Sequence, residues 1–200
     1  MKKILAFVLL SIPVWGQANK AISLIDGMQK KYKSMGSFSA NFSYQTDGGN
    51  AMNGSITVKG TKFRLKTAGQ EIFNNGKEVA TYIKEINEVN ISAFDPADGD
   101  LNPAKIYTFD KKGYKFTWVG ESGGVATVEM VPGTKAAQVK HISLKINTSD
   151  FTVKSWTIVN KSGKKQLFTV TKLNPKAGAD DAFFTFNKKA FPGVEVNDLR

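Results

Sequence analysis

The sequence predicts a mainly-β protein built on one long antiparallel sheet that curls over an apolar concave face. Three observations predict it. From Ser37 onward the apolar residues recur with a period of two. Turn signals separate the alternating runs at a spacing of about ten residues, which gives about eleven strands. Helical periodicity is confined to two segments, too little to pair each strand with a crossover helix.

The first helical segment spans residues 20–35. Ala21, Ile22, Leu24, Ile25, Met28 and Tyr32 recur at helical spacing, and Gly36 is a natural stop. Phe38, Ala40, Phe42 and Tyr44 then alternate with Ser39, Asn41 and Ser43, and Asp47-Gly48-Gly49-Asn50 supplies turn chemistry. Further runs cover 54–59, 62–67, 79–83 and 88–94, with Asn74-Asn75-Gly76-Lys77 as a hairpin signal. The stretch 95–112 interrupts the pattern. Asp95 to Asp100 reads as a loop, and 102–109 as a short helix entered through Asn102 with Pro103 at its first position. Its apolar residues, Leu101, Ile106, Tyr107 and Phe109, need a surface to cover. Alternation resumes at 114–118 and continues through 125–131, 139–146, 151–159, 166–173 and 183–186.

The first residues form a separate unit. Lys2 and Lys3 precede an apolar run from Ile4 to Ile12, followed by residues a signal peptidase accepts. This is the pattern of a secretory signal peptide. The run is shorter than the ~20 residues of a membrane-spanning helix. Residues 1–16 are therefore expected to be cleaved after Gly16, with Ala18 as the second choice, leaving 17–200 as a single periplasmic domain. The full chain carries a net charge of +11, or +9 without Lys2 and Lys3. Export and the dispersed lysines argue against nucleic acid, which leaves a solvated basic surface, membrane headgroups or an acidic partner protein.

Several chemistries lack their residues. With no cysteine and one histidine, the chain offers no thiolate nucleophile or disulfide and little imidazole chemistry. His141 lies in an alternating run. Asp95, Asp98 and Asp100 do not match the EF-hand spacing. Neither a phosphate-cradling glycine motif nor a Gly-x-Ser-x-Gly elbow occurs. The expectation is a protein that is not an enzyme and holds neither metal nor cofactor.

A long alternating sheet is apolar on one face and tends to curl. The helices either fill that face as an ordinary core or act as a lid over a cavity for an apolar ligand. The candidate wall residues are Phe42, Ile56, Val58, Phe63, Leu65, Ile72, Tyr82, Ile91, Phe116 and Trp118, and the candidate lid residues are Leu24, Met28 and Ile106. A single bulge would invert the faces of a strand.

The order of these features resembles the periplasmic outer-membrane lipoprotein carrier proteins, the LolA family. The resemblance begins with the helix running into Ser37-Phe38-Ser39-Ala40-Asn41-Phe42-Ser43-Tyr44-Gln45. It continues through Gly54-Ser55-Ile56-Thr57-Val58-Lys59, Lys62-Phe63-Arg64-Leu65, and Glu71-Ile72-Phe73-Asn74-Asn75-Gly76-Lys77 with Tyr82. It closes with Phe184-Thr185-Phe186 and Phe191-Pro192-Gly193-Val194-Glu195-Val196-Asn197-Asp198. It implies an incomplete, unclosed β-barrel with a helical lid over a hydrophobic cavity. It also implies a monomeric carrier that takes acylated lipoproteins from an inner-membrane ABC-type release complex towards an outer-membrane receptor. An alternative is a lipid-binding or envelope-sensing module of the same fold that transports nothing. One departure stands out: the family's Arg-Pro, whose arginine helps hold the lid closed, is Gly60-Thr61 here. Arg64 falls too late in the strand to be taken as its substitute.

Overall fold

The computed structural model describes residues 14–95, 106–134 and 137–200. Most of the expected signal segment, residues 1–13, lies outside the described residues, as do residues 102–105 of the second expected helix. Ile106 to Thr108 form a turn.

Helix α1 runs Val14–Met35, so the expected cleavage point after Gly16 falls in its first turn. Ala21, Leu24, Ile25, Met28 and Tyr32 are buried along one stripe, whereas Ile22, expected on that stripe, is 40% exposed. Gly36 ends the helix at φ +67°, a conformation that glycine adopts without steric cost.

Twelve strands follow: β1 (Ser37–Thr46), β2 (Met52–Lys59), β3 (Lys62–Lys66), β4 (Gln70–Asn74), β5 (Glu78–Ile83), β6 (Glu88–Ala93), β7 (Tyr114–Ser122), β8 (Val125–Pro132), β9 (Val139–Asn147), β10 (Val153–Asn160), β11 (Lys165–Asn174) and β12 (Glu195–Asp198). They form one sheet in the order β12-β6-β5-β4-β3-β2-β1-β11-β10-β9-β8-β7. Its edges, β7 and β12, do not pair with each other, so the barrel is unclosed. Register irregularities at Asn41/Phe42 and Trp118/Gly120 add bends to a sheet this long.

Three sequence expectations need correction. Residues 183–186 are not a strand: Ala182–Phe184 is a 3-10 turn that buries Phe184, and Asp180 Oδ1 accepts a hydrogen bond from Phe183 N at 2.9 Å. Two strands, β4 and β12, did not stand out in the alternation. The sheet is also not wholly antiparallel, because β12 runs parallel to β6. From the end of β11 the chain crosses the outer face and enters beside β6 in the same direction, a geometry that a tight hairpin cannot make.

Alternation places Phe38, Phe42, Ile56, Val58, Phe63, Leu65, Val128, Met130, Ile142, Leu144, Ile146, Trp156, Ile158 and Phe168 together with the stripe of α1 in one buried cluster. A second, smaller cluster covers the opposite face of β4–β6. There Phe73, Ala80, Val89 and Val194 are buried beneath Tyr82, Ile91, Phe186, Phe191 and Val196.

Gly54 faces Phe42 across β1 and β2. A Cβ at Gly54 would lie 2.5 Å from the Phe42 ring and 2.9 Å from the Lys66 carbonyl oxygen, so only glycine lets the ring lie flat on β2. Gly54→Ala is expected to lower stability by about 1–3 kcal/mol, the usual cost of overpacking a filled core. A urea midpoint equal to that of the parent protein would show that the ring finds other room.

Candidate functional site: an apolar cavity beneath the helix

Helix α1 and residues 106–109 together cover part of the concave face. Ile106, Tyr107 and Phe109 are buried against the main cluster. Two polar ties join this segment to the helix. Gln29 Nε2 donates to the Phe109 carbonyl at 2.9 Å, and Lys111 pairs with Asp26. Between helix, segment and sheet lies a cavity of about 470 Å³, lined by Gln29, Tyr32, Lys33, Gly36, Phe38, Val58, Gly60, Thr61, Tyr107, Thr108 and Phe109. Its size falls within the range of about 300–1,000 Å³ usual for small-molecule sites.

The wall is built from aromatic rings. Tyr32 and Tyr107 stack at 4.6 Å with an interplanar angle of 11°, and Phe38 meets both edge-on, at 5.1 and 4.9 Å. Such pairs add about 0.5–1.5 kcal/mol each beyond the area they bury. The Tyr32 hydroxyl accepts a hydrogen bond from Val153 N at 3.1 Å, which ties the helix to β10. Burial pushes the Tyr32 phenol up to about 12 and the Tyr107 phenol well above its ordinary value. Both rings therefore stay neutral at any physiological pH. The Tyr107 hydroxyl is buried and has no hydrogen-bond partner among the described residues.

The residues expected to form the wall divide into several groups. Val58 lines the cavity. Phe42, Ile56, Phe63 and Leu65 are buried in the main cluster, and Ile72, Phe116 and Trp118 are half-buried against it. Tyr82 and Ile91 require correction, since they pack in the second cluster on the opposite face. In register, Tyr82 faces Val89 and Ile91 faces Ala80, while the other parity of these strands carries Thr81, Asn90 and Ser92. Leu24, Met28 and Ile106, the expected lid residues, are all buried in the main cluster. Gln29, Tyr32, Lys33, Phe38, Tyr107, Thr108 and Phe109 line the cavity but are not among the expected wall or lid residues. Their chemistry is ordinary, and only the path of the 106–109 segment brings them together.

Gly60 and Thr61 sit at the rim, so the departure from the family's Arg-Pro falls on the cavity itself. Arg64 does not compensate. It lies on the outer face between the rings of Phe73 and Phe183, at 4.5 and 4.7 Å, and its Nε binds Glu71 Oε1 at 2.7 Å. Among the described residues no group of His, Cys, Asp or Glu is placed to hold a metal ion. Of the acidic loop, Asp98 and Asp100 lie outside the described residues.

A family model described as "Outer membrane lipoprotein carrier protein LolA" matches residues 14–164. The chain belongs to the LolA family. No curated protein matches it significantly. Among solved structures, an uncharacterized conserved protein from Thermus thermophilus is similar at a TM-score of 0.60 and 13% identity, over 90% of this chain and 99% of that one. A protein described as an outer membrane lipoprotein-sorting protein domain, from Vibrio parahaemolyticus, is similar at 0.52 and 11%, over 87% of this chain and 99% of the other. At such identities the likeness is one of fold. Among the described residues of this LolA-family chain, no helix is long and apolar enough to cross a membrane.

The outer-face position of Arg64 separates stability from ligand binding. Its side chain is 28% exposed and that of Glu71 10%, so removing the cation leaves a carboxylate largely out of water. Arg64→Ala is expected to cost about 3 kcal/mol in urea unfolding, as for other broken buried pairs. The affinity for a fluorescent fatty acid should stay unchanged at temperatures where the variant is folded. A large loss of probe affinity with little change in stability would place Arg64 at the site after all.

Proposed function

We propose that this protein is a non-enzymatic periplasmic carrier that holds the acyl chains of lipoproteins in the cavity beneath α1. On this reading it takes its cargo from an inner-membrane ABC-type release complex and gives it up at the outer membrane. The observation that carries the reading is the cavity wall: Tyr32, Phe38, Val58, Tyr107 and Phe109 offer apolar surface with few polar groups. Membership of the LolA family supports it.

The energetics favour a wall of this kind. Each acyl methylene taken out of water contributes about 0.8 kcal/mol. Three long chains counted in this way would pass the practical ceiling of about 18–21 kcal/mol for non-covalent binding. A carrier must release its load, so its cavity has to compete with a bilayer and not with water. Aromatic and aliphatic walls match the solvent quality of a bilayer, whereas several hydrogen bonds to the cargo would hold it back.

A second reading, a lipid-binding or sensing module that hands nothing on, has one observation in its favour. The rim carries Gly60-Thr61 in place of the arginine that the family resemblance associates with a closed lid. Mass spectrometry of the protein purified natively from its own periplasm separates the two. A bound lipoprotein that transfers to outer-membrane vesicles is the carrier's result. A free diacyl lipid that stays bound is the sensor's.

Val58 tests the site directly, because it lines the cavity next to Gly60. Val58→Arg, whose long side chain can reach water at the rim, should weaken binding of a fluorescent fatty acid at least tenfold, whereas Val58→Ala should change it less than threefold. Equal affinities for the parent protein and the arginine variant would remove this cavity as the acyl site.

A further inference from the structure

The rim of the cavity carries charge as well as apolar surface. Lys33 lines the cavity, is exposed and makes no ion pair among the described residues, and Lys30 is exposed one turn earlier on the same helix. On the sheet side, Lys59 and Lys62 flank the Gly60-Thr61 turn and share a single carboxylate, Asp181, at 3.0 and 2.8 Å. Their hydrogen bonds, Lys62 foremost, hold Asp181 below the usual carboxylate range, so it stays ionised. Lys77 is exposed on the neighbouring β4–β5 turn, beside Gly76, and a Cβ at Gly76 would touch the Lys62 side chain. Among the described residues, Glu78 and Asp95 stand close to Lys77 in the chain or the sheet. Glu78 is taken by Arg200, and Asp95 follows Phe94, whose N–H donates to the Lys77 carbonyl at 2.8 Å. Among the described residues, Lys30, Lys33 and Lys77 form no ion pair.

We propose that this lysine rim docks the cavity mouth onto an anionic lipid bilayer. The inference rests on the acyl-cavity reading above, because chains given up to the outer membrane stay out of water where the mouth lies against the bilayer. Charge complementarity selects the surface. Lysines brought within a Debye length of acidic headgroups are attracted to them, and salt screens that attraction. That attraction would turn the opening towards the membrane.

Sedimentation of the mature protein with vesicles tests this. Binding is expected to vesicles of phosphatidylcholine with phosphatidylglycerol in low salt, but not to phosphatidylcholine alone, and it should be lost in high salt. Lys30→Glu with Lys77→Glu, neither of them ion-paired among the described residues, should weaken vesicle binding at least tenfold. Lys140→Glu with Lys164→Glu, at the opposite end of the strands, should change it less than threefold. Equal loss in both pairs, equal binding to neutral vesicles, or no vesicle binding at all would overturn the proposal. A dansylated fatty acid titrated into the same proteins separates the two readings. Unchanged probe affinity in the Lys30/Lys77 variant supports docking at the rim, and a parallel loss of probe affinity overturns it. Failure of the parent protein to bind the probe defeats the acyl-cavity reading, whatever the vesicles report.

Discussion

An open sheet of twelve strands has one long apolar face and no second sheet to bury it against, and the rest of the structure follows from how that face is kept from water. Curling brings the ends of the face towards each other, but β7 and β12 never join. Among the described residues a single α-helix remains for the task. Its stripe from Ala21 to Tyr32 covers part of the face, and the chain between β6 and β7 covers more by carrying Ile106, Tyr107 and Phe109 inward. The cavity is the space these two elements leave, and its position follows from their limited size.

The opposite face tells a complementary story. Over β4–β6 the outer surface is apolar too, and the chain after β11 is spent on covering it. Phe73 meets Phe186 and Phe191 edge-on at 5.7 and 6.0 Å, and Tyr82 lies 4.5 Å from Phe191. This covering ends in β12, which pairs with β6 and satisfies what would otherwise be an exposed sheet edge. Asp181 ties the same stretch to Lys59 and Lys62 at the rim of the cavity. One continuous segment therefore closes the sheet edge at one point and borders the site at another.

This double burial explains where the sequence was legible. Strict alternation reports a strand with one buried face, and β1, β2, β3, β8 and β9 were readable for that reason. On β5 and β6 the outer face is buried as well, so Tyr82 and Ile91 look like wall residues while facing the other way. β4 was obscured by Glu71, a charged residue at a buried position, whose partner Arg64 lies on the adjacent strand. Phe183 to Phe186 alternates like a strand, but the Asp180 hydrogen bond to Phe183 N favours a tight turn there. The cavity was legible only in outline. Its wall depends on where Tyr107 settles against Tyr32 and Phe38, contacts between residues about 70 positions apart in the chain, which periodicity does not encode.

The same contacts bear on how firmly the cavity is enclosed. Two polar ties join α1 to the crossing segment, and both are modest. The Asp26–Lys111 pair is exposed, where such pairs contribute about 0–1 kcal/mol. The hydrogen bond from Gln29 adds about 1 kcal/mol net. Most of the enclosure is therefore apolar contact, made by Ile106, Tyr107 and Phe109. An acyl chain offers the same kind of surface in return, so ligand and segment compete on nearly equal terms for the concave face. A wall that encloses mainly by apolar contact is matched to a ligand whose own surface is apolar. Such a wall is the kind that the carrier reading proposed above requires.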